Sequence, residues 1–353
     1  MLPVVPPMPP MLARLARELP RGDYLYEPKW DGFRCLCFRD GDQVDLRSRH
    51  DRPLARYFPE LVDALRKVDS DAFVLDGEAV VLSPGGFDFS ALMARLHPAA
   101  SRVERLAREA PAHFVAFDVL AVGNEDMRPR RFETRREQLE ELLADPPDRL
   151  RLTPITDDPD VAEEWLERFQ GAGIDGVVAK ARDMYYLPGV RAMIKVKRER
   201  TADCVVAGFR MYADGSTLSS LMLGLYDDDG QLEHVGIASS FSRQRRDELL
   251  EELRPLIVSL EGHPWEHGFL LGGGALGRLK GSAGRWTPDM ERAWIPVAPE
   301  RVCEVAYTQL DGYRFRHPAK FRRWRPDRDP RSCTLDQLRT ADERAIAEAI
   351  GVA

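Results

Sequence analysis

One lysine carries the strongest chemical signal in this sequence. Lys29 lies in the run Glu-Pro-Lys-Trp-Asp-Gly-Phe-Arg, which begins at Glu27 and ends at Arg34. A lysine amine attacks a phosphorus or carbonyl centre only as the neutral base, so it needs apolar surroundings or neighbouring cations that lower its pKa. Trp30 and Phe33 are the expected source of apolar surroundings. The run predicts a covalent nucleophile, with a surface lysine before an Asp-Gly hairpin turn as the alternative.

Four short apolar segments further along the chain, each predicted to be a strand, favour the catalytic interpretation. They cover residues 73–82, 113–122, 174–180 and 193–197. Charged groups are rare inside such strands unless they have a partner or a function. Side chains alternate along a strand, so Lys195 and Lys197 share one face and repel each other unless an anion lies between them. The other groups that these segments carry are Glu78, Phe117 with Asp118, and Asp175.

The elements that must position these residues predict an α+β first domain over residues 1–200. Its strands are separated by helices of varied length without regular βαβ spacing, which favours mixed, largely antiparallel sheets with packed helices. A helix over 134–143 is interpreted as scaffold, because Thr134 and Glu137 form a capping box at its predicted start.

The composition changes after Arg200, and residues 201–353 are predicted to form a second domain. Strand-like runs over 202–234, one helix over 243–257 and a strand over 301–310 describe a small β-barrel of about five strands interrupted by one helix. That is the pattern of an OB-fold. A Gly-rich loop over 262–284 and a capped C-terminal helix over 334–350 complete the prediction.

The second domain ends in a basic block. Residues 310–331 contain eight Arg or Lys and three Asp, a net charge of +5, although the whole chain carries 51 basic and 58 acidic residues and a net charge of −7. Clustered cations with interleaved aromatic rings, such as Phe321 and Trp324, suit a polyphosphate or a nucleic-acid backbone. A solvated basic tail is the alternative interpretation.

Composition narrows the class of protein further. The five cysteines contain no C-x-x-C pair, and Cys35 and Cys37 would share one face of a strand, so neither a zinc site nor a disulfide framework is predicted. No apolar run approaches 18 residues, and the Pro/Met-rich start is not a signal peptide. We therefore expect a cytoplasmic protein with 353 residues in two domains and no membrane contact.

Six signals, in this order, resemble the motifs of the covalent nucleotidyltransferase superfamily. They are Lys29-x-Asp31-Gly32, Asp76-Gly77-Glu78, Phe117-Asp118, Asp175-Gly176-Val177-Val178-x-Lys180, Lys195-x-Lys197 and the terminal basic block. Within that superfamily, the run around Lys29 and the short chain are most similar to the small accessory (LigC-type) ATP-dependent DNA ligases of bacteria. The resemblance extends from about Met8 to Arg328.

The resemblance implies how the nucleotide is bound. Lys29 would attack the α-phosphate of ATP to form a lysyl-AMP, while Glu27 contacts the adenine amino group and Phe117 stacks on the ring. An aromatic face suits a purine. Lys195 and Lys197 would neutralise the α-phosphate and, as nearby cations, help to keep Lys29 partly neutral.

Further roles are implied around the sugar, the metal and the DNA end. Arg34 and Arg49 would bind the ribose or the 5′-phosphate of a nick, and Glu78 would bind the ribose or order a metal ion. Asp175, where the family usually has Glu, is the other candidate metal ligand, and its shorter side chain puts its metal reach in doubt. On the second domain, the residues implied to orient the pyrophosphate are Arg316, Lys320, Arg322 and Asp327.

The implied function is an ATP-dependent DNA ligase that seals 3′-hydroxyl/5′-phosphate nicks through a lysyl-AMP and a DNA-adenylate, in DNA repair or recombination. ATP and Mg²⁺ or Mn²⁺ are the implied cofactors, and nicked double-stranded DNA is the implied partner of a monomeric enzyme. The enzyme is expected at the nucleoid when it is engaged on DNA, and other DNA repair proteins are further candidate partners. The alternatives are an RNA ligase, an RNA-capping enzyme, or an inactive OB-fold protein that binds nucleic acid.

Overall fold

The computed structural model describes residues 1–83, 86–97, 99–168, 174–268 and 294–338. Contacts divide the chain after Arg198 into two compact units, the second of which is Glu199–Arg339. The predicted C-terminal helix falls almost entirely outside the described residues. Its first described part is a single 3-10 turn, Leu335–Leu338.

The first unit is built from strands and helices in mixed order. Its strands are β1 (Leu12–Ala16), β2 (Tyr24–Trp30), β3 (Phe33–Asp40), β4 (Gln43–Ser48), β5 (Ala72–Ser83), β6 (Gly86–Phe87), β7 (Ala112–Val122), β8 (Glu125–Asp126), β9 (Leu150–Leu152), β10 (Ile174–Ala181) and β11 (Arg191–Val196). Its helices are α1 (Pro59–Leu65), α2 (Phe89–Ala94), α3 (Ala100–Glu109), α4 (Phe132–Leu142) and α5 (Pro159–Arg168).

Two sheets organise this unit. One has four strands in the order β1-β11-β10-β2, and the other has seven strands, with β4-β3-β5-β7-β8 in line, β6 beside β5 and β9 beside β7. The pairs β1–β11 and β7–β9 are parallel, and the remaining pairs are antiparallel. The prediction of mixed, largely antiparallel sheets with packed helices is confirmed.

Burial on both faces explains why β3 reads as a continuous apolar run. Its Cys35 and Cys37 face a core cluster that includes residues of α1, whereas Leu36 and Phe38 face a second cluster that contains Met11. A strand covered on both sides does not need to alternate apolar and polar residues. The turn between β2 and β3 carries the chain from the smaller sheet to the larger one directly after Lys29.

Helix α4 differs from its prediction in a way that matters for the site. It begins at Phe132 rather than Thr134, and its N-cap residue, Arg131, makes no capping hydrogen bond with its side chain. The predicted capping box is therefore wrong. The helix also carries two buried side chains, Arg135 and Arg136, to which the sequence analysis gave no role.

The second unit is a β-barrel with one helix inserted in its sequence. Its elements are β12 (Arg200–Met211), β13 (Leu218–Tyr226), β14 (Leu232–Ala238), α6 (Arg243–Leu253), β15 (Ile295–Tyr307), β16 (Leu310–Asp311), β17 (Arg314–Phe315) and β18 (Lys320–Trp324). Five strands pair in the order β14-β13-β12-β15-β18. A bridge between Ala238 and Ala319 joins the two edges of that sheet, as expected for the predicted OB-fold.

Two boundaries in this unit differ from prediction. Helix α6 ends at Leu253 and passes into a 3-10 turn that contains Pro255, because a proline ring removes a backbone donor and disrupts the helix. Ile257, assigned to the apolar stripe of this helix, is exposed. Strand β15 begins at Ile295, six residues before the predicted start at Arg301, and most of the predicted Gly-rich loop lies outside the described residues.

All five cysteines are buried and form no disulfide. Cys204 and Cys303 are register partners on neighbouring strands of the barrel. Burial is the main cause that raises the pKa of each thiol above its ordinary value. Across the described ranges, no helix is long and apolar enough to cross a membrane.

Candidate active site

Lys29 lies in a cluster of lysines around one buried acid. Its Nζ is 3.0 Å from Oδ2 of Asp175, and Lys197 donates to the same oxygen. Lys195 is close enough to this group that, after burial, the charges of Lys197 and Lys29 lower its pKa. The sequence expectation was an anion between Lys195 and Lys197, whereas the two lysines that contact the acid are Lys29 and Lys197. In this structure the anion is Asp175.

The backbone around this cluster requires glycine at two positions. Gly176 has φ +131, and a Cβ placed on it would lie 2.1 Å from the carbonyl oxygen of Val196. This close approach occurs at an irregularity in the pairing of β10 with β2. At Gly32 a Cβ would lie 2.2 Å from the carbonyl oxygen of Ala79. The Asp-Gly pairs of both motifs thus allow close packing beside Asp175 and Glu78.

The aromatic residues next to Lys29 in sequence pack in two different core clusters. Trp30 belongs to a core cluster with Phe117 and donates its indole N–H to Thr153. Phe33 packs edge-on against Phe58 and Phe89 in a different cluster. Besides Asp175, Nζ of Lys29 donates to the backbone carbonyl of Trp30 at 3.4 Å. Apolar surroundings of the amine stay a prediction, and the hydrogen-bond partners of Nζ are polar.

Glu27 and Phe117 meet through a buried lysine. Nζ of Lys180 is 2.8 Å from Oε2 of Glu27 and donates to the carbonyl oxygen of Phe117, also at 2.8 Å. The same ammonium group lies 5.1 Å from the centre of the Phe117 ring. Burial raises the pKa of Glu27, while the charges of Lys180 and Arg136 act in the opposite direction. Two residues with implied adenine contacts are therefore neighbours.

Arg34 is held by a partner that the motif pattern did not reveal. It forms a two-pronged ion pair with Asp76, with both contacts at 2.5 Å, and its guanidinium lies 4.5 Å from the centre of the Phe117 ring. The hydroxyl of Tyr186 donates to the same carboxylate at 2.6 Å. Although burial opposes it, the ion pair with Asp76 raises the pKa of Arg34. In this structure Arg34 is a packed, paired residue.

Glu78 and Arg49 differ in solvent exposure. Glu78 accepts a hydrogen bond from the backbone N–H of Gly32 at 3.1 Å, and burial raises its pKa to about 7 although Lys29 and Arg34 oppose the change. Arg49 is exposed in the turn after β4. A partly sheltered carboxylate suits a sugar hydroxyl, whereas an exposed guanidinium suits a phosphate from solvent.

The predicted metal ligands are present, but they do not form a closed metal site. Among the described residues, no group of three or more His, Cys, Asp or Glu could hold an ion. Asp175 already accepts from two lysines, and Glu78 accepts from Gly32. Mg²⁺ keeps several waters and is commonly held by one or two carboxylates together with substrate phosphates. The donor set fits an ion held mainly by a nucleotide.

In the second unit, residues with implied pyrophosphate roles lie on or next to β18. Lys320 and Arg322 are two residues apart on this strand and therefore share one face. Both donate to Glu199, with the Lys320 contact at 2.5 Å. Arg316 donates its backbone N–H to Gln309 at 3.0 Å. Asp327 accepts from Arg325, and this bond lowers its pKa to about 2. The sequence thus placed two cations together correctly, but it did not identify their acidic partner.

Sequence reasoning missed several buried charged residues of the first unit. Arg135 pairs with Asp118 through two contacts of 2.7 and 3.0 Å, and both side chains are almost fully buried. Arg136 is also buried, 4.0 Å from Oε1 of Glu27. The signal available was Asp118 itself, because a buried acid requires a partner.

A lysine among clustered cations, on sheets that precede an OB-type barrel, is the arrangement of the nucleotidyltransferases. Comparison with protein families gives the particular group. The family model described as "ATP dependent DNA ligase domain" matches residues 10–197, and "ATP dependent DNA ligase C terminal region" matches residues 214–328. The chain belongs to the family of ATP-dependent DNA ligases.

Individual relatives place it among the LigC-type enzymes. The chain is 49% identical to DNA ligase C of Mycobacterium tuberculosis over 342 residues, which is 96% of this chain and 95% of that protein. It is also 49% identical to DNA ligase C2 of Mycolicibacterium smegmatis, with 96% of each chain covered. The RNA ligase, capping and inactive-protein alternatives are not favoured.

A solved structure of a Lig E DNA ligase is similar to this chain in fold. It covers 89% of this chain and 99% of its own, with a TM-score of 0.51 and 18% identity. At that level of identity the likeness supports the architecture alone.

Proposed function

We propose that this ligase seals nicks between a 3′-hydroxyl and a 5′-phosphate in double-stranded DNA, through a lysyl-AMP on Lys29 and a DNA-adenylate. The observation that carries the proposal is the cluster in which Lys29 Nζ lies 3.0 Å from Asp175 and shares that acid with Lys197. Phosphoryl transfer requires alignment and charge neutralisation more than covalent help. This cluster provides a nucleophile, an acid and additional cations within one small region.

In the first step, the Nζ of Lys29 forms a bond to the α-phosphorus of ATP while the bond from that phosphorus to the bridging oxygen breaks. Pyrophosphate leaves with the bonding electrons. Lys29 must lose a proton before it attacks and another as the phosphoramidate forms. Asp175 is the acid within hydrogen-bond distance of that nitrogen, so we assign it as the first proton acceptor. Lys197 and Lys195 then face the incoming phosphate.

The neighbouring residues orient the nucleotide. Glu27 accepts from the adenine amino group, Phe117 supplies the aromatic face, and Glu78 accepts from a ribose hydroxyl. Arg34 already forms an ion pair with Asp76. It can contact the sugar or the DNA end only if it keeps this ion pair or if the ion pair first breaks. We therefore assign the 5′-phosphate of the nick to the exposed Arg49.

A divalent cation, Mg²⁺ or Mn²⁺, completes the proposal as a neutralising charge on the nucleotide phosphates. Asp175 and Glu78 are the residues that would hold it. Because Asp175 is paired with two lysines, holding an ion there requires that at least one of those contacts loosens. Of the two acids, Glu78 has no lysine contact at hydrogen-bond distance among the described residues.

The second unit supplies the cations that act on the leaving group in the first step. We propose that Lys320 and Arg322, with Arg316, bind pyrophosphate and that Asp327 maintains the local geometry through Arg325. In the later steps the AMP moves to the 5′-phosphate, and the 3′-hydroxyl displaces it to form the new phosphodiester. The setting would be DNA repair in the cytoplasm, with a monomer acting at the nucleoid.

The test is covalent labelling followed by nick sealing. With ATP labelled at the α-phosphate, the intact protein should acquire an acid-labile label that Lys29→Ala loses completely and that Lys67→Ala, an exposed lysine, retains. The same Lys29 variant should still seal a nick that already carries AMP, because that step needs no lysine nucleophile. Full labelling of the Lys29 variant would overturn the assignment of the nucleophile.

A further inference from the structure

A donor and an acceptor lie buried beside each other in the first unit, at ion-pair distance but without a hydrogen bond. Oε1 of Glu27 and Nη1 of Arg136 have no hydrogen-bond partner within the part of the chain that the structure describes. They are 4.0 Å apart, too far for a hydrogen bond, although both residues are more than nine-tenths buried.

Each of these side chains is fixed by its other atoms. Lys180 contacts Oε2 of Glu27 at 2.8 Å, and Glu140 accepts from Nε of Arg136 at 2.6 Å. A buried polar atom without a partner costs about 1–3 kcal/mol, and more when it is charged. Oε1 of Glu27 and Nη1 of Arg136 are thus held near each other without a hydrogen bond. They are suited to bind a ligand that presents one donor and one acceptor side by side.

The position of the pair identifies that edge. Lys180 links Glu27 to Phe117, the ring proposed to stack on the base. The Watson–Crick edge of adenine presents an amino group as donor and the adjacent ring nitrogen N1 as acceptor. We infer that Arg136 is a base-reading residue, whose Nη1 donates to adenine N1 while Oε1 of Glu27 accepts from the adenine amino group.

The same pair explains selection against guanine. Guanine presents a carbonyl oxygen where adenine has its amino group and an N–H where adenine has N1. Both contacts would then be repulsive, carboxylate against carbonyl and guanidinium against N–H. A site built to satisfy its hydrogen bonds with one ligand rejects a ligand that leaves them unpaired. This inference rests on the proposed reaction with ATP and adds the residue that selects its base.

The test compares ATP with 1-deaza-ATP, in which N1 is replaced by C–H and the amino group is kept. For the intact protein, the kcat/KM of self-adenylylation should fall by about 10- to 100-fold with 1-deaza-ATP, the effect of one hydrogen bond to a charged group. Arg136→Met should lose a similar factor with ATP and almost nothing further with 1-deaza-ATP. Arg131→Met, an exposed arginine at the start of the same helix, is the matched control.

Two results would overturn the inference. One is an intact protein that uses both nucleotides equally well, and this measurement needs no variant to fold. The other is an Arg136→Lys or Arg136→Met protein whose kcat/KM with 1-deaza-ATP is reduced by both factors multiplied together, one from the substitution and one from the nucleotide. Independent effects of this kind would make the arginine a purely structural group. In either case labelling of Lys29 by ATP would persist, so the proposed ligase reaction would stand. If the intact protein were not labelled by ATP at all, the proposed reaction itself would fail.

Discussion

The charged residues with proposed roles differ in burial between the two units. In the first unit, Lys180 and Glu27 are almost fully buried and contact each other at 2.8 Å. In the second, Lys320 and Arg322 are about half exposed, at 58% and 44%, and share the single acid Glu199. A buried charge pair is costly to break, whereas an exposed pair exchanges readily with solvent and contributes little to stability.

The difference corresponds to how long each group is needed in the proposed reaction. The base and the lysyl-AMP stay in the first unit through several steps, so a fixed environment around Glu27 and Phe117 is useful. Pyrophosphate is present only in the first step. Cations that orient it must bind and then release, and exposed pairs with Glu199 allow such exchange at small cost.

Replacing the same residue type in both regions should give the largest contrast. Lys180→Met leaves Glu27 buried without its closest cation and should lower the free energy of unfolding of the first unit by about 3–5 kcal/mol. Lys320→Met, its matched control, should change the stability of the second unit by less than about 0.5 kcal/mol. Amide hydrogen exchange across a urea series reports each unit separately. Equal losses for both variants would remove the distinction between buried and exposed charges.

A catalytic variant separates the steps of the reaction. Arg322→Ala should reduce self-adenylylation by about 100-fold, as removal of one charge-stabilising donor typically does, and leave the unfolding free energy nearly unchanged. Sealing of a nick that already carries AMP should stay within about threefold of the intact protein. Arg323→Ala, on the same strand but paired with Glu304, is the control. A comparable loss in both assays would assign Arg322 to DNA binding.

Ionisation of Glu78 as the pH rises should lower the stability of the protein and raise its activity. Burial raises its pKa from 4.5 to about 7, so its contribution to stability is complete below pH 4.5 and is lost as pH rises through 7. The ionised carboxylate is the better acceptor for a ribose hydroxyl, so Glu78→Gln should lower adenylylation about fivefold at pH 8 and much less at pH 6.

Urea unfolding provides the matching measurement. The stability of the intact protein relative to Glu78→Gln should decline between pH 5 and pH 8, because the variant lacks the carboxyl group that titrates in this range. A difference between them that is independent of pH would show that Glu78 has an ordinary pKa.

The smallest effect is expected at Glu199. Glu199→Gln removes the acid that Lys320 and Arg322 share, but the pairs are exposed. The free energy of unfolding should change by less than about 0.5 kcal/mol, and the rate of self-adenylylation by no more than about threefold. Raising the salt concentration should reduce even this difference. A tenfold or larger change in rate would mean that Glu199 controls access to these two cations.

Local patterns predicted the strands that carry the motifs, because apolar runs and alternation depend on neighbouring residues. They also predicted that Lys195 and Lys197 need a nearby anion, but not that Asp175 would pair with Lys29 and Lys197. Pairings between distant segments were not predictable in this way. Arg136 received no role from the sequence, because its partner Glu27 lies more than a hundred positions earlier in the chain.

The errors in predicted helix boundaries have identifiable physical causes. Thr134 and Glu137 satisfied the capping-box rule, yet the helix begins earlier at Phe132, whose ring is fully buried. Tertiary burial outweighed the cap, which typically contributes only about 1 kcal/mol. The predicted long helix stops before Pro255, because proline lacks the backbone donor that a continuing helix requires.

The five buried cysteines determine how this ligase responds to oxidants. A thiol reacts with peroxide or an alkylating agent as its thiolate and only where the reagent can reach it. Here burial excludes the reagent, and the raised pKa of every thiol keeps the sulfur protonated. Reagents that modify accessible thiolates should therefore leave these five cysteines unmodified in the folded ligase.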